Sequence, residues 1–408
     1  MGDVLATDMG LGLLNEAIAR TENDRGKSWT QLDLASAAKV SERTVRRFLK
    51  REDPISAVNA RSICQALNVR FEDVAESDKT GQSGQNPFTY GTPVSANRFY
   101  GRKQVLKQVG DRLRQGTSVN LVGLRRSGKT SVLRYLMDDR FKESLSEPEK
   151  TIFVFLDLST TACARPLDLT EGLRRGISKR MGKAPWRKEE NDDAWAVQEG
   201  LEEVRDRGWR VVVLMDEFEA IERKLDLFQD WATDWRSKAS TDGLFTMVVA
   251  SQRSLAEFYQ SHDRTSPFDN IFNLFVIGAM EEWEALVLEQ WKLSADGLSW
   301  VDGLAGGMPY YVQLAASMLW DAEENTGLAR MNFMMEAEGR FGVLWRDLEE
   351  AERFPLREAT PTMLRSLSEV KPKGSIGDRL VRYGVLRSSG GLFSTAFGEW
   401  IRENGGAV

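Results

Sequence analysis

The stretch NLVGLRRSGKTSVLRYL, Asn120 to Leu136, sets a short apolar run against a basic, glycine-bounded loop and then an apolar stripe at helical spacing. Gly123, Gly128, Lys129 and Thr130 fit the pattern G-x-x-x-x-G-K-[ST], with a strand expected before it and an amphipathic helix after it. Glycines at those points let backbone N–H groups converge on phosphate oxygens, and the helix that follows points the positive end of its dipole at the same charge. Lys129 is placed to reach β and γ phosphates, and the Thr130 hydroxyl to hold Mg²⁺. A strand feeding such a loop and helix commits the surrounding chain to an α/β architecture.

Five apolar runs support that expectation. They are SVNLVG from 118, TIFVFLD from 151, RVVVLMD from 210, LFTMVVAS from 244 and NLFVIGAM from 273, separated by helical or polar stretches. Continuous apolar runs alternating with helices predict a parallel sheet covered on both faces. The third run ends in Asp216 and Glu217. That position suits a carboxylate that orients the metal, Asp216, beside one that polarises the attacking water, Glu217. Two adjacent acids are often only a solvated strand end, but here they accompany the phosphate loop.

Composition excludes other chemistries. The single histidine, His262, rules out a Cys/His zinc site or a histidine triad assembled within one chain. Cys64 and Cys163 lie far apart in the sequence and form no CxxC pair, which favours buried thiols over a disulfide. At 41% hydrophobic and 28% charged residues, with no apolar run near the roughly 18 residues a membrane span needs, a cytoplasmic protein without a membrane partner is expected. The net charge of −6 argues against nucleic-acid binding over the whole surface and leaves a local basic face open.

The order of motifs resembles the STAND branch of the AAA+-related ATPases, in particular the archaeal-type group, from about Asn97 to about Leu319. RFYGRKQVLKQVGDRL, Arg98 to Leu113, is similar to the box preceding the phosphate loop, which implies Phe99, Gly101 and Arg102 near adenine. The implied ATP-binding set is Phe99, Arg102, Gly123, Arg125, Arg126, Ser127, Gly128, Lys129, Thr130, Ser131 and Pro309, with Thr130 and Asp216 on Mg²⁺. The fourth strand ends in ASQRS, so Ser251 or Gln252 takes the polar position facing the γ phosphate and joins Lys129 and Glu217 in catalysis. GLAGGMPYYVQLAASML resembles a Gly-x-Pro lid motif, with Pro309 touching base or ribose; a plain helix-start turn is the other reading. Arg125 and Arg126 fit a solvated loop edge, a contact to the chain's own phosphates, or a role in trans. No arginine finger is assignable, and members of this branch typically act as slow nucleotide switches.

TQLDLASAAKVSERTVRRFLK, Thr30 to Lys50, resembles a helix-turn-helix of the phage-repressor type. The resemblance implies Ala35 at the helix crossing, Ser41 as cap, and Arg43, Thr44, Arg46, Arg47 and Lys50 toward double-stranded DNA. A small helical bundle that binds protein is the alternative. Lys39 replaces the glycine usual at the turn, which adds strain if its φ is positive. TPTMLRSLSEVKPKGSIGDRLVRYGVLRSSGGLFSTAFGEWIRE resembles a winged helix, in which Lys371, Lys373, Arg379 and Arg382 contact phosphates or the whole packs on the lid.

The expected organisation is an all-α helix-turn-helix domain at 1–75, a linker at 76–97 rich in Gly, Ser, Gln and Pro, and a five-stranded P-loop ATPase core at 98–280. A helical lid follows at 281–355 and a winged helix at 356–408. The implied function is an ATP-dependent DNA-binding regulator, homo-oligomeric in its ATP state, with any effector on a separate chain. Its alternative is an ATPase that assembles on DNA as a transposition or remodelling helper.

Overall fold

The computed structural model describes residues 3–20, 29–51, 55–69, 71–74, 86–260, 268–349 and 374–404. The chain divides into two compact units, Met1–Pro87 and Phe88–Val408.

In the first unit a short strand β1 (Asp3–Val4) pairs antiparallel with β2 (Ile55–Ser56), and α1 (Asp8–Arg20) follows it. The expected all-α domain therefore carries a two-stranded ribbon. Helix α2 (Gln31–Ala37) starts on a capping box, in which the Thr30 hydroxyl accepts from Asp33 N at 3.1 Å. Helix α3 (Glu42–Lys50) starts on Ser41, whose hydroxyl accepts from Thr44 N at 3.1 Å. The turn between them places Lys39 at φ 52°, the strained conformation that a glycine would adopt freely. Ala35, Val45 and Phe48 are buried against Ile63, Cys64 and Leu67 of the segment containing α4 (Ala57–Ala66), and α5 (Phe71–Val74) completes the core. Arg43, Arg46 and Lys50 are exposed along α3, while Thr44 and Arg47 are half-buried.

The second unit is built on a five-stranded parallel sheet. Its strands are β3 (Ser118–Val122), β4 (Thr151–Asp157), β5 (Arg210–Asp216), β6 (Thr246–Ser251) and β7 (Phe272–Val276), in the order β4-β5-β6-β3-β7. Alternate residues serve opposite faces. Val211, Val213, Met215, Met247 and Val249 pack in one cluster, and Val212, Leu214, Val248 and Ala250 in the other. Helices α9 (Pro166–Met181), α10 (Ala194–Asp206) and α11 (Leu225–Arg236) cover the first face. Helices α6 (Lys103–Arg114) and α7 (Lys129–Leu136) cover the second, with the short α8 (Asp139–Lys142) beside them. Double coverage is why the central strands β5 and β6 read as nearly continuous apolar runs. Edge strand β7 is the exception, with Leu274 more than half exposed. The short α12 (Leu255–Gln260) follows β6.

Beyond the sheet come α13 (Trp283–Leu288), α14 (Ala295–Ala305), α15 (Pro309–Asp321) and α16 (Thr326–Glu349). They share a core with Leu380 and Tyr383 around the end of α17 (Gly374–Arg382), and with Phe397 and Trp400 of α18 (Thr395–Asn404). Between α17 and α18 Leu386 bridges Leu392 across a turn at Gly390 and Gly391. Residues 356–373, including Lys371 and Lys373, lie outside the described residues. Phe88 to Asn97 is not linker. Phe88 is buried edge-on between Trp291 and Trp320, and Thr89 N donates to Gln313 Oε1 at 3.2 Å. Among the described residues no helix is long and apolar enough to cross a membrane.

Candidate functional site

The strand register brings the motif residues to one edge of the sheet. Val122 lies level with Ser251 and Val276, and Asp157 with Asp216. Strand β3 sits between β6 and β7 although β4 follows it in sequence. Such a crossover point leaves a crevice at the carboxyl ends of the strands, where α/β sheets bind ligands. A cleft of about 360 Å³ opens there, lined by residues 125–132, Glu217 and Pro309 among others. A larger groove of about 810 Å³ lies where the strands begin and contains none of the motif residues.

The loop after β3 is shaped as a cradle. Gly128 takes φ 93°, open to glycine but strained for other residues, and starts α7. At Gly123 a Cβ would stand 2.4 Å from the Ile277 carbonyl oxygen and 2.6 Å from Ser127 Oγ. Gly123→Ala is therefore expected to cost about 2 kcal/mol of stability and to distort the loop. A thermal melt should show the loss, and nucleotide titration of the folded fraction should show weakened binding. Ser127 Oγ is buried without a hydrogen-bond partner, a polar atom that a bound phosphate would satisfy.

Lys129 is buried, and its Nζ donates to the Gly123 and Leu124 carbonyl oxygens at 2.9 and 3.1 Å. Burial lowers its pKa, opposed mainly by Glu219 and then by Glu217 and Asp216. Burial likewise raises the Asp216 carboxyl, opposed by the Thr130 hydroxyl beside it. Thr130 and Asp216 thus offer the hydroxyl and carboxylate oxygens a hard cation requires. Among the described residues no group of three or more His, Cys, Asp or Glu could hold a metal ion. Glu217 is exposed at φ 52°, ψ 52°, a left-handed position for a non-glycine residue, and lines the cleft. Glu219 escaped the sequence reading. Its carboxylate accepts the backbone N–H of Gln252, and its Oε2 is buried without a partner.

Both residues at the end of β6 are buried. Ser251 Oγ accepts from Asn120 Nδ2 at 2.8 Å, so the phosphate-loop strand holds it in place. Turned with its carboxamide oxygen toward Arg125, Gln252 accepts from that guanidinium at 3.2 and 3.3 Å. Arg125 also pairs with Asp347 of α16 at 3.5 Å. Arg126 stacks over Tyr310 of α15 at 4.1 Å. Both loop arginines therefore engage the helices after the sheet.

Around the cleft, Phe99 stacks on Tyr135 at 4.4 Å, and Pro309 starts α15 near Gly128. Ser131 Oγ accepts from Val94 N at 3.3 Å, fastening the 88–97 segment across the loop helix. Arg102 serves the backbone. Its guanidinium donates to Ser127 O at 3.0 Å, Ala279 O at 3.1 Å and Gly278 O, and burial lowers its pKa to about 10. Arg102 also lines the cleft beside Phe99, and its clasp on the loop carbonyls is a role that no local sequence signal shows.

No protein-family model and no curated protein matches this chain. Among solved structures it is similar to the Walker-type ATPase paby2304 of Pyrococcus abyssi, at 13% identity and TM-score 0.53, covering 77% of this chain and 99% of that one. The Aeropyrum pernix ORC2 protein, solved as ADPNP–ADP complexes, matches at 13% identity and TM-score 0.45, over 78% and 98% of the two chains. Cdc6p from Pyrobaculum aerophilum matches at 16% identity and TM-score 0.40, over 81% and 85%. At these identities the likeness to the Pyrococcus protein is one of fold, and the fold is that of a Walker-type P-loop ATPase.

Proposed function

We propose that this protein is an ATPase that engages double-stranded DNA, with its nucleotide state governing that engagement. The observation that carries the proposal is a buried Lys129 ammonium inside a glycine-shaped loop, with Thr130 and Glu217 lining the same cleft and Asp216 behind them against the Thr130 hydroxyl.

ATP and Mg²⁺ fit the residues present: the loop amides and Ser127 for phosphate oxygens, Lys129 for the β and γ phosphates, Thr130 and Asp216 for the metal. Mg²⁺, when bound, neutralises charge on the β and γ oxygens. Glu217 accepts a proton from the water attacking the γ phosphorus, while Ser251 or Gln252 faces that phosphate. Phe99, Tyr100 and Pro309 line the side of the cleft suited to base and ribose. Burial of Lys129 and Asp216 strengthens the electrostatic contacts that they make.

DNA contact is assigned to α3. Arg43, Arg46 or Arg47, and Lys50 recur at helical spacing on one face of the helix. Thr44 is partly committed to its cap, its Oγ1 lying 2.7 Å from Ser41 Oγ. Replacing Arg43 and Arg47 by alanine together should weaken DNA binding at least about tenfold and flatten its salt dependence. ATP affinity should stay unchanged, as titrations of both ligands into one preparation will show.

Two outcomes share this machinery. In one, ATP drives assembly on DNA as a helper for transposition or remodelling, which the likeness of the core to a Walker-type ATPase favours. In the other, a STAND-type switch changes state once per signal, becomes homo-oligomeric with ATP and acts through a separate effector; the repressor-like α2 and α3 favour it. Selecting bound DNA from a random pool, with ATP and with ADP, tests DNA engagement and its nucleotide dependence. Nucleotide-independent recovery would contradict the proposed coupling.

A further inference from the structure

Glu219 belongs to neither the loop nor the acid pair, yet it joins them to the end of β6. One carboxylate oxygen accepts the backbone N–H of Gln252, 33 residues further along the chain. The other is buried without a hydrogen-bond partner. Glu219 is also the foremost electrostatic partner of Lys129. Gln252 in turn meets Arg125, which pairs with Asp347 on α16. A set of contacts therefore runs from Glu219 through Gln252 and Arg125 to the helices beyond the sheet, with Lys129 near enough to feel the Glu219 charge without a direct ion pair.

The geometry points to Glu219 as a positioning residue that sets the backbone of Gln252 and so the preference of the site for ATP over ADP. This rests on the nucleotide reading above. Two properties of the side chain do separate jobs. Its reach holds Gln252, because an oxygen at that distance from the main chain is what the Gln252 N–H needs. Its charge balances Lys129 in a buried site, where an anion also opposes incoming phosphates. ADP lacks the γ phosphate that Ser251 or Gln252 is proposed to face; with Gln252 in that place, a shift of its backbone changes ATP affinity and leaves ADP affinity nearly untouched.

Reach and charge separate by substitution. Glu219→Gln keeps the reach, since its carboxamide oxygen can accept the same N–H, and removes the charge. Glu219→Asp keeps the charge and shortens the reach by one methylene. Affinities for ATP and for ADP, each with Mg²⁺, are measured by calorimetry on the full chain, with thermal melts to establish folding. Glu219→Gln is expected to bind both nucleotides about three- to tenfold more tightly, with the ATP-to-ADP ratio unchanged. Glu219→Asp is expected to lower that ratio at least about fivefold at similar ADP affinity. An unchanged ratio in Glu219→Asp, or a collapsed ratio in Glu219→Gln, overturns the assignment. A wild-type chain that binds neither nucleotide removes the nucleotide reading itself, and the inference with it. A variant that melts before nucleotide is added leaves the other as the deciding measurement.

Discussion

Lys129→Ala is expected to weaken ATP and ADP binding at least about a hundredfold while the protein stays folded. The ammonium is held inside the loop by two carbonyl oxygens, and phosphate oxygens offer it stronger, charged acceptors at the same place. Hydrogen bonds to charged groups contribute about 1.5–3 kcal/mol each, so losing even two corresponds to a factor of roughly 10² to 10⁴. Folding should survive because the truncation removes a buried charge whose desolvation opposes it, and burial already raises the pKa of the Glu219 carboxyl left without its counter-charge, so that it can take up a proton. Nucleotide titration alongside a thermal melt checks both halves. Retained affinity within about threefold would show that the ammonium does not meet the phosphates.

Glu217→Gln is expected to slow ATP hydrolysis about 10²- to 10³-fold and to leave ATP bound. Glutamine keeps the size of the side chain and loses the ability to take a proton from water. Glu217 occupies a left-handed backbone position directly after the buried Asp216, and its own N–H donates to Asp216 Oδ1 at 3.1 Å. The strain is thus fastened to Asp216, the carboxylate proposed to orient the metal, which fits a residue whose placement matters more than its stability. Single-turnover hydrolysis and retention of labelled nucleotide give the test. Normal hydrolysis in the variant would move the base elsewhere.

Local chemistry made the sheet and the loop legible. Apolar runs such as RVVVLMD carry alternate residues into two separate clusters, and the double coverage they predict is present. The phosphate loop announced itself through Gly123, Gly128, Lys129 and Thr130, and the acid pair through its place at a strand end. What stayed hidden depended on partners distant in sequence. The 88–97 segment reads as linker because it is poor in aliphatics, yet Phe88 inserts between tryptophans some two hundred residues away. Arg102 lines the cleft as a ligand-facing cation would, and it also binds three carbonyls from two other segments. Glu219 differs from any solvated acid only through Gln252 and Lys129. The opening twenty residues gave no strong pattern, since β1 is two residues long and depends on β2 for pairing. Lys39 is the opposite case, a strain anticipated from the missing glycine and present at φ 52°.

Whether a triphosphate is what this loop holds is decided by titrating ATP with Mg²⁺ into the purified full chain, with the Lys129→Ala protein as control. One saturable site per chain should appear in the wild type and vanish in the variant. Absence of heat for every purine nucleoside triphosphate, or equal binding by the two proteins, would contradict it.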